Sequence, residues 1–105
     1  MDVGNELARD QVDALEGAVL LEFGTSWCGY CRAAQTLIGS AKAKHPRVRH
    51  LQIEDGPGRP LGRSFRVKLW PTLIFLSGGT EVARIVRPES AEAIERALVQ
   101  IDRPA

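Results

Sequence analysis

The sequence lacks the features that direct a chain into or across a membrane. It has no apolar run approaching the ~18 residues that span a bilayer, and residues 1–6 contain neither the basic start nor the apolar stretch of a signal peptide. We therefore expect a cytoplasmic protein with no membrane partner. A chain whose signal peptide had been removed would show the same pattern, and its location would then be periplasmic.

Cysteine is scarce as well, because it occurs only as Cys28 and Cys31. Two cysteines are too few for a framework of several structural disulfides, and a four-ligand zinc site would need two further ligands. His45 and His50 stand far from any zinc-binding spacing. We therefore expect no metal; zinc, or a disulfide that merely closes a small loop, are the weaker alternatives.

The chain also lacks a strong charge of either sign and any low-complexity segment. Its 105 residues are 44% hydrophobic and carry a formal net charge of +1. This balance excludes a disordered chain and gives no sign of a nucleic-acid surface, so we expect no nucleic-acid partner. The length fits one hydrophobic core, which predicts a single domain over residues 1–105, and we expect a monomer.

Basic residues nevertheless gather just before Trp70 and Pro71. Arginine outnumbers lysine by 11 to three in the whole chain, and this segment carries Arg59, Arg63, Arg66 and Lys68. A solvated surface loop is the favoured interpretation. A docking patch for an acidic partner is the alternative.

Apolar periodicity predicts an α/β chain with four helices and four strands. Short apolar runs predict strands over residues 18–23, 48–53, 72–76 and 81–86, with a hairpin at 77–80. Helical spacing predicts helices over residues 28–44, within 61–67 and from about 89 to 101, after a first helix that Asp2 or Asn5 caps and that ends near Leu15. Such an order forms a mixed sheet covered on both faces.

The two cysteines stand three residues apart where the 28–44 helix begins. They face the same side of its first turn, so they can form a disulfide or open to a dithiol, and redox chemistry is the first hypothesis. The positive end of the helix dipole favours a thiolate at Cys28, which we assign as the nucleophile. Cys31 lies one turn further in and is the thiol that resolves a mixed disulfide.

The motifs around this pair occur in a familiar order and spacing. Phe23, the run 27–31 (Trp-Cys-Gly-Tyr-Cys), the run 70–72 (Trp-Pro-Thr) and the Gly78-Gly79 hairpin resemble the thioredoxin family over residues 18–101. The resemblance implies a thioredoxin fold, with four strands here because no first strand is obvious. It also implies a thiol-disulfide oxidoreductase that reduces protein disulfides without a cofactor, in partnership with a thiol reductant or reductase.

The resemblance further implies a buried acid at Glu22 that takes the proton of Cys31. His50 falls where the family pattern has a lysine near this acid, so the two side chains can pair across parallel strands. In the alternative reading, Glu22 faces solvent and His50 is an ordinary polar neighbour. If the pair is buried, we expect desolvation to raise the pKa of Glu22 and a charged His50 to oppose this rise, so that activity titrates near neutral pH.

A substrate groove is implied by the same resemblance, formed by Trp27, Gly29, Tyr30, Trp70 and Pro71. Pro71 aligns with the family's cis-proline, which leaves the backbone of the preceding residue free to pair with an extended substrate. Trp27 is expected to shield the disulfide, with core filler as the alternative.

The sequence departs from the family pattern at three places, one of which is Thr36, where the family has a proline that kinks the active-site helix. Tyr30 replaces a proline between the cysteines, which makes the pair similar to that of disulfide isomerases and leaves the direction of electron flow open. Arg87 and Pro88 occupy the stretch where valine and glycine normally complete the groove, which favours a dedicated partner. An isomerase or oxidant, and a redox-inactive binding module on the same fold, are the alternative functions.

Overall fold

The structure is a computed structural model that describes residues 2–3 and 7–103. Its centre is a mixed sheet with the strand order β1-β3-β2-β4-β5. The strands are β1 (Asp2–Val3), β2 (Ala18–Gly24), β3 (Arg49–Glu54), β4 (Thr72–Ser77) and β5 (Thr80–Val86). β1 and β2 pair with β3 in parallel, whereas β4 runs antiparallel to both β2 and β5.

The predicted mixed sheet is confirmed, but the expected number of strands needs one correction. The four predicted strands are all present, and β1 adds a fifth at the edge beside β3. β1 has only two residues, which is too short to show the alternation that identifies a strand in a sequence.

Four helices in the described part of the chain cover the sheet: α1 (Arg9–Asp13), α2 (Gly29–Lys42), α3 (Pro60–Ser64) and α4 (Ala91–Ile101). One core lies between the sheet and α2 with α4, where Leu20, Ile38, Phe75 and Leu98 are fully or almost fully buried. A second core, on the other face, packs residues of α1 and α3 against strand residues such as Phe23. Alternate residues of β2 therefore enter opposite cores, and Glu22 shares its face with Leu20.

The first helix begins later than predicted. Its N-cap is Ala8, whose N–H donates to the side-chain oxygen of Gln11 at 2.8 Å. Asp2 lies in β1 and therefore does not cap this helix, and Asn5 lies outside the described residues. Gly17 follows the helix with a φ of 74°, a backbone conformation that glycine adopts without strain.

The hairpin between β4 and β5 requires glycine at its turn. Gly78 and Gly79 have φ values of 56° and 81°. A side chain on Gly79 would also collide with the backbone of Asp13 at the end of α1, so the turn packs directly against that helix. No helix in the described part of the chain is long and apolar enough to cross a membrane.

Candidate active site

Both cysteines lie at the N-terminus of α2, at the end of the central strand β2. Cys28 is the N-cap residue, and its sulfur accepts a 3.2 Å hydrogen bond from the N–H of Cys31. The two side chains are free thiols, and both residues are buried, with 8% of Cys28 and 5% of Cys31 exposed. The helix terminus therefore supplies an N–H group directly to the sulfur of Cys28.

The thiol of Cys28 ionises more readily than an ordinary cysteine. Burial opposes its ionisation, but hydrogen bonds from Cys31 and the backbone of Tyr30, together with the positive charge of Arg87, outweigh this effect and lower its pKa. Cys28 is therefore the better nucleophile of the pair at neutral pH.

Cys31 behaves in the opposite way. Burial raises the pKa of its thiol to about 11, and the neighbouring Cys28 and the negative charge of Glu22 add to the rise. Its sulfur fills the place that a side chain at Gly24 would occupy, because a Cβ there would lie only 2.6 Å from it. Cys31 is thus held as a protonated thiol behind Cys28.

The turn before β4 lies against the cysteine pair. The Trp70-Pro71 peptide bond is cis, as the resemblance implies. The carbonyl oxygen of Trp70 lies 4.0 Å from the sulfur of Cys28. Thr72 supports the turn, since its buried hydroxyl donates to the carbonyl of Leu69 at 2.6 Å.

Aromatic side chains surround the exposed side of the pair. Trp27 and Tyr30 are 69% and 60% exposed, so Trp27 is not core filler. The rings of Trp27 and Trp70 meet edge to face with centroids 5.6 Å apart. Trp70 is held in turn by Asp55, whose carboxylate accepts a 2.9 Å hydrogen bond from the indole N–H.

Arg87 reaches into this site from the end of β5. Its Nε donates to the carbonyl oxygen of Trp70 at 2.9 Å, and its guanidinium carbon lies 3.9 Å from the centre of the Tyr30 ring. The backbone N–H of Arg87 donates to the carbonyl of Pro71 at 2.9 Å. Its φ of 51° is unusual for a residue with a side chain.

Glu22 and His50 form the buried pair that the sequence suggested. Oε1 of Glu22 lies 2.8 Å from Nε2 of His50, while Oε2 accepts hydrogen bonds from Gln35 at 2.6 Å and Gln52 at 3.5 Å. The solvent-facing reading of Glu22 is therefore wrong, because only 3% of the residue is exposed.

The expected direction of the Glu22 pKa also needs correction. Burial raises this pKa, as anticipated, but the hydrogen bonds from His50 and Gln35 and the charge of His50 lower it further than burial raises it. The net shift is downward, so Glu22 is a carboxylate at neutral pH and does not titrate there.

A cleft of about 330 Å³ opens beside the pair and connects the carboxylate to the resolving thiol. Its walls include Glu22, Cys31, Gln35 and Gln52. A space of this size and polarity admits several water molecules. Among the described residues, no group of three or more His, Cys, Asp or Glu side chains is placed to hold a metal ion.

Sequence reasoning missed three residues of the site, Gln35, Gln52 and Asp55. Gln35 bridges Glu22 and the backbone carbonyl of Cys31, which its amide contacts at 3.0 Å. It stands one helical turn after Cys31, a spacing that could have identified it. Asp55 gives no such signal, because its contact with Trp70 depends on the path of the loop between them.

Comparison with known proteins now identifies the family. The family model described as Thioredoxin matches residues 4–100. The chain belongs to the thioredoxin family. A thioredoxin of Chlamydia pneumoniae is 34% identical over 70 residues, which cover 67% of this chain and 69% of that protein. Thioredoxin H-type 1 of Nicotiana tabacum is 29% identical over 87 residues, or 83% of this chain and 68% of that one.

A solved thioredoxin supports the same assignment. Thioredoxin 2 of Pseudomonas aeruginosa PAO1, in its reduced form, is 54% identical and superimposes with a TM-score of 0.84 over 96% of this chain and 94% of that chain. The predicted thioredoxin fold and the function are confirmed: the protein is a thiol-disulfide oxidoreductase, a protein-disulfide reductase with its active site at Cys28 and Cys31. Membership implies protein substrates and a reductase.

Proposed function

We propose that Cys28 attacks the disulfide of a protein substrate and that Cys31 then resolves the complex. The observation that carries this assignment is the opposite perturbation of the two thiols, since the pKa of Cys28 is lowered and that of Cys31 is raised to about 11. The two groups therefore differ in reactivity although they lie one helical turn apart.

In the first step, the Cys28 thiolate forms a bond to one sulfur of the substrate disulfide. The S–S bond of the substrate breaks, and its second sulfur leaves as a thiolate that takes up a proton. In the second step, deprotonated Cys31 attacks the sulfur of Cys28 and the remaining substrate thiolate leaves. Two electrons pass to the substrate, and a Cys28-Cys31 disulfide remains for a thiol reductant or reductase to reduce.

The second step requires a base. With a pKa near 11, only ~1 in 10⁴ Cys31 thiols is ionised at pH 7. Glu22 is the group placed to accept the proton, because its carboxylate is ionised and lines the same cleft as Cys31. A water molecule in the cleft would carry the proton between them.

The substrate is proposed to lie in the groove around the pair, against Trp27, Gly29, Tyr30, Trp70 and Pro71. Trp27, Tyr30 and Leu69 expose large apolar surfaces beside Cys28, as a site for a polypeptide requires. We propose that the protein acts as a monomer, as the single domain 1–105. We place it in the cytoplasm, where thiols stay reduced.

The function is tested with two variants and one equilibrium measurement. Cys28→Ser should abolish disulfide reduction, whereas Cys31→Ser should accumulate a mixed disulfide with the substrate. A reduction potential near the ~−270 mV of thioredoxin would support a cytoplasmic reductase. A value between ~−180 and ~−120 mV would overturn the cytoplasmic placement.

A further inference from the structure

We propose that Arg87 is a specificity-determining residue that selects disulfides flanked by acidic side chains. This inference rests on the proposed role of Cys28 as the nucleophile. The inference goes beyond that role because it names the chemical class of the substrate. It follows from the position of the guanidinium relative to the nucleophile and from its incomplete set of partners.

The guanidinium of Arg87 and the thiol of Cys28 approach the same atom. Arg87 Nε donates to the carbonyl oxygen of Trp70 at 2.9 Å, and the Cys28 sulfur lies 4.0 Å from that oxygen. Arg87 Nε therefore lies within about 7 Å of the Cys28 sulfur, to which a polypeptide substrate binds covalently. The residues that flank its reactive cysteine come within reach of a fixed positive charge.

Two contacts fix the place of this charge. The Tyr30 ring lies 3.9 Å below the guanidinium carbon, and the backbone N–H of Arg87 is bonded to the carbonyl of Pro71. An arginine whose stem is anchored at both ends loses little conformational freedom when it binds a ligand.

The guanidinium still has donors to offer. Among the hydrogen bonds and ion pairs between described residues, only Nε of the Arg87 side chain has a partner, namely the carbonyl of Trp70. No carboxylate of the described residues forms an ion pair with it, in contrast to Arg84 of β5, which is bound by both oxygens of Glu81. Its two terminal nitrogens match the geometry of an incoming carboxylate.

Exposed basic side chains also occur in the segment that precedes Trp70. Arg66 and Lys68, which precede Trp70 in the chain, are both exposed. Asp55 is the acidic group in contact with Trp70, but its carboxylate is engaged by the indole N–H. An acidic segment bound at Cys28 would therefore meet the positive charge of Arg87, whereas a basic segment would be repelled.

The test compares three peptides of equal length. Each carries one cysteine as a 2-thiopyridyl mixed disulfide, flanked on both sides by glutamate, glutamine or lysine. When Cys28 attacks the peptide sulfur, pyridine-2-thione leaves and its absorbance gives the second-order rate constant. The reduced protein should react about tenfold faster with the glutamate peptide than with the lysine peptide, and less so in high salt.

Two variants make this comparison specific. In Arg87→Gln the ratio of the two rate constants should fall to about one, while Arg87→Lys should retain part of it because the charge remains. Arg84→Gln removes the same charge three residues earlier, within β5, and should leave the ratio unchanged. Arg87 also affects the intrinsic reactivity of Cys28, but that effect changes the rate constants of all three peptides equally. It therefore cancels in the ratio of the rate constants.

The outcomes separate this proposal from the proposed function. If the glutamine peptide reacts rapidly but the native protein shows a ratio of one, the selectivity of Arg87 is refuted and the nucleophilic role of Cys28 stands. A ratio that falls equally in Arg84→Gln would also refute it, because net charge would then suffice. If no peptide reacts with the native protein, the proposed function itself fails.

Discussion

Glu22 and His50 form a buried pair on neighbouring parallel strands, with Glu22 Oε1 2.8 Å from His50 Nε2. The register places Glu22 opposite Gln52, so His50 stands two residues back on the same face of the sheet. Three side chains, His50, Gln35 and Gln52, stabilise the charged form of the acid in a site that is almost closed to solvent. The pair thus keeps a carboxylate ionised where burial alone would protonate it.

Replacing Glu22 by glutamine should slow the resolving step while leaving the first attack intact. The variant keeps the shape of the side chain but removes the base, so the mixed disulfide should persist about tenfold longer or more. Its lifetime is measured by acid quenching after a single turnover. Glu54→Gln is the matched control, because Glu54 lines the same cleft but is exposed. Equal lifetimes in both variants would remove Glu22 from the mechanism.

Replacing His50 by leucine should shift the pH dependence of the same step upward. In the native protein the pKa of Glu22 lies below its ordinary value near 4.5, so resolution should not lose its base until the pH falls below that value. Without His50, burial is opposed only by the two glutamine side chains, and the pKa should rise. The measurement is the rate of the resolving step from pH 4 to 8. If this rate falls at the same acidic pH in both proteins, the proposed role of the pair is contradicted.

His45 should make the stability of the fold depend on pH. Its Nδ1 and Nε2 lie 2.6 Å from Asp102 and 2.8 Å from Glu95, and hydrogen bonds to these carboxylates raise its pKa. The pKa of His45 is therefore higher in the folded state than its value near 6.5 in the unfolded state. The protonated side chain stabilises the fold fully at pH values below 6.5, and this contribution is lost as the pH rises through the folded pKa.

Thermal unfolding between pH 5 and 9 measures this contribution. The native protein should lose a few degrees of Tm more than His45→Gln does as the pH increases through this range. Parallel Tm curves for the two proteins above pH 6 would show that the His45 contacts do not stabilise the fold.

Asp55 should position Trp70 for binding. Asp55→Ala removes the 2.9 Å acceptor of the indole N–H, so KM for a peptide disulfide should rise about threefold to tenfold with little change in kcat. Asp55→Asn keeps an acceptor oxygen and should restore KM. If the alanine variant lowers kcat alone, Asp55 acts on the chemistry and not on the position of the ring.

The sequence predicted the elements with a strong pattern and missed the weak ones. The helix after Cys28 and the buried strand before it were placed within two residues of their bounds, because their apolar periodicity is unambiguous. β1 was not predicted, since two residues form a strand only through their pairing with β3. The helix cap at Ala8 was also missed, because its hydrogen bond is made by the side chain of Gln11 and not by the side chain of Ala8.

The residues of the site were likewise predicted only in part. Spacing along the chain was enough to bring Cys28 and Cys31 together, whereas the resemblance to the family implied the places of Pro71, Glu22 and His50. The burial argument gave the wrong direction for the pKa of Glu22, because that sign depends on two additional hydrogen bonds that only the packed structure shows. The direction of the Arg87 side chain was equally beyond reach, since it depends on a left-handed backbone at that residue.

The edge-to-face contact of Trp27 and Trp70 gives the protein a natural optical probe. These are its only two tryptophans, and they belong to separate segments, one leading into α2 and the other into β4. All of the indole fluorescence of this protein therefore originates beside the reactive sulfur. A substrate that separates the rings, or a disulfide that forms beneath them, will change the emission without any attached dye.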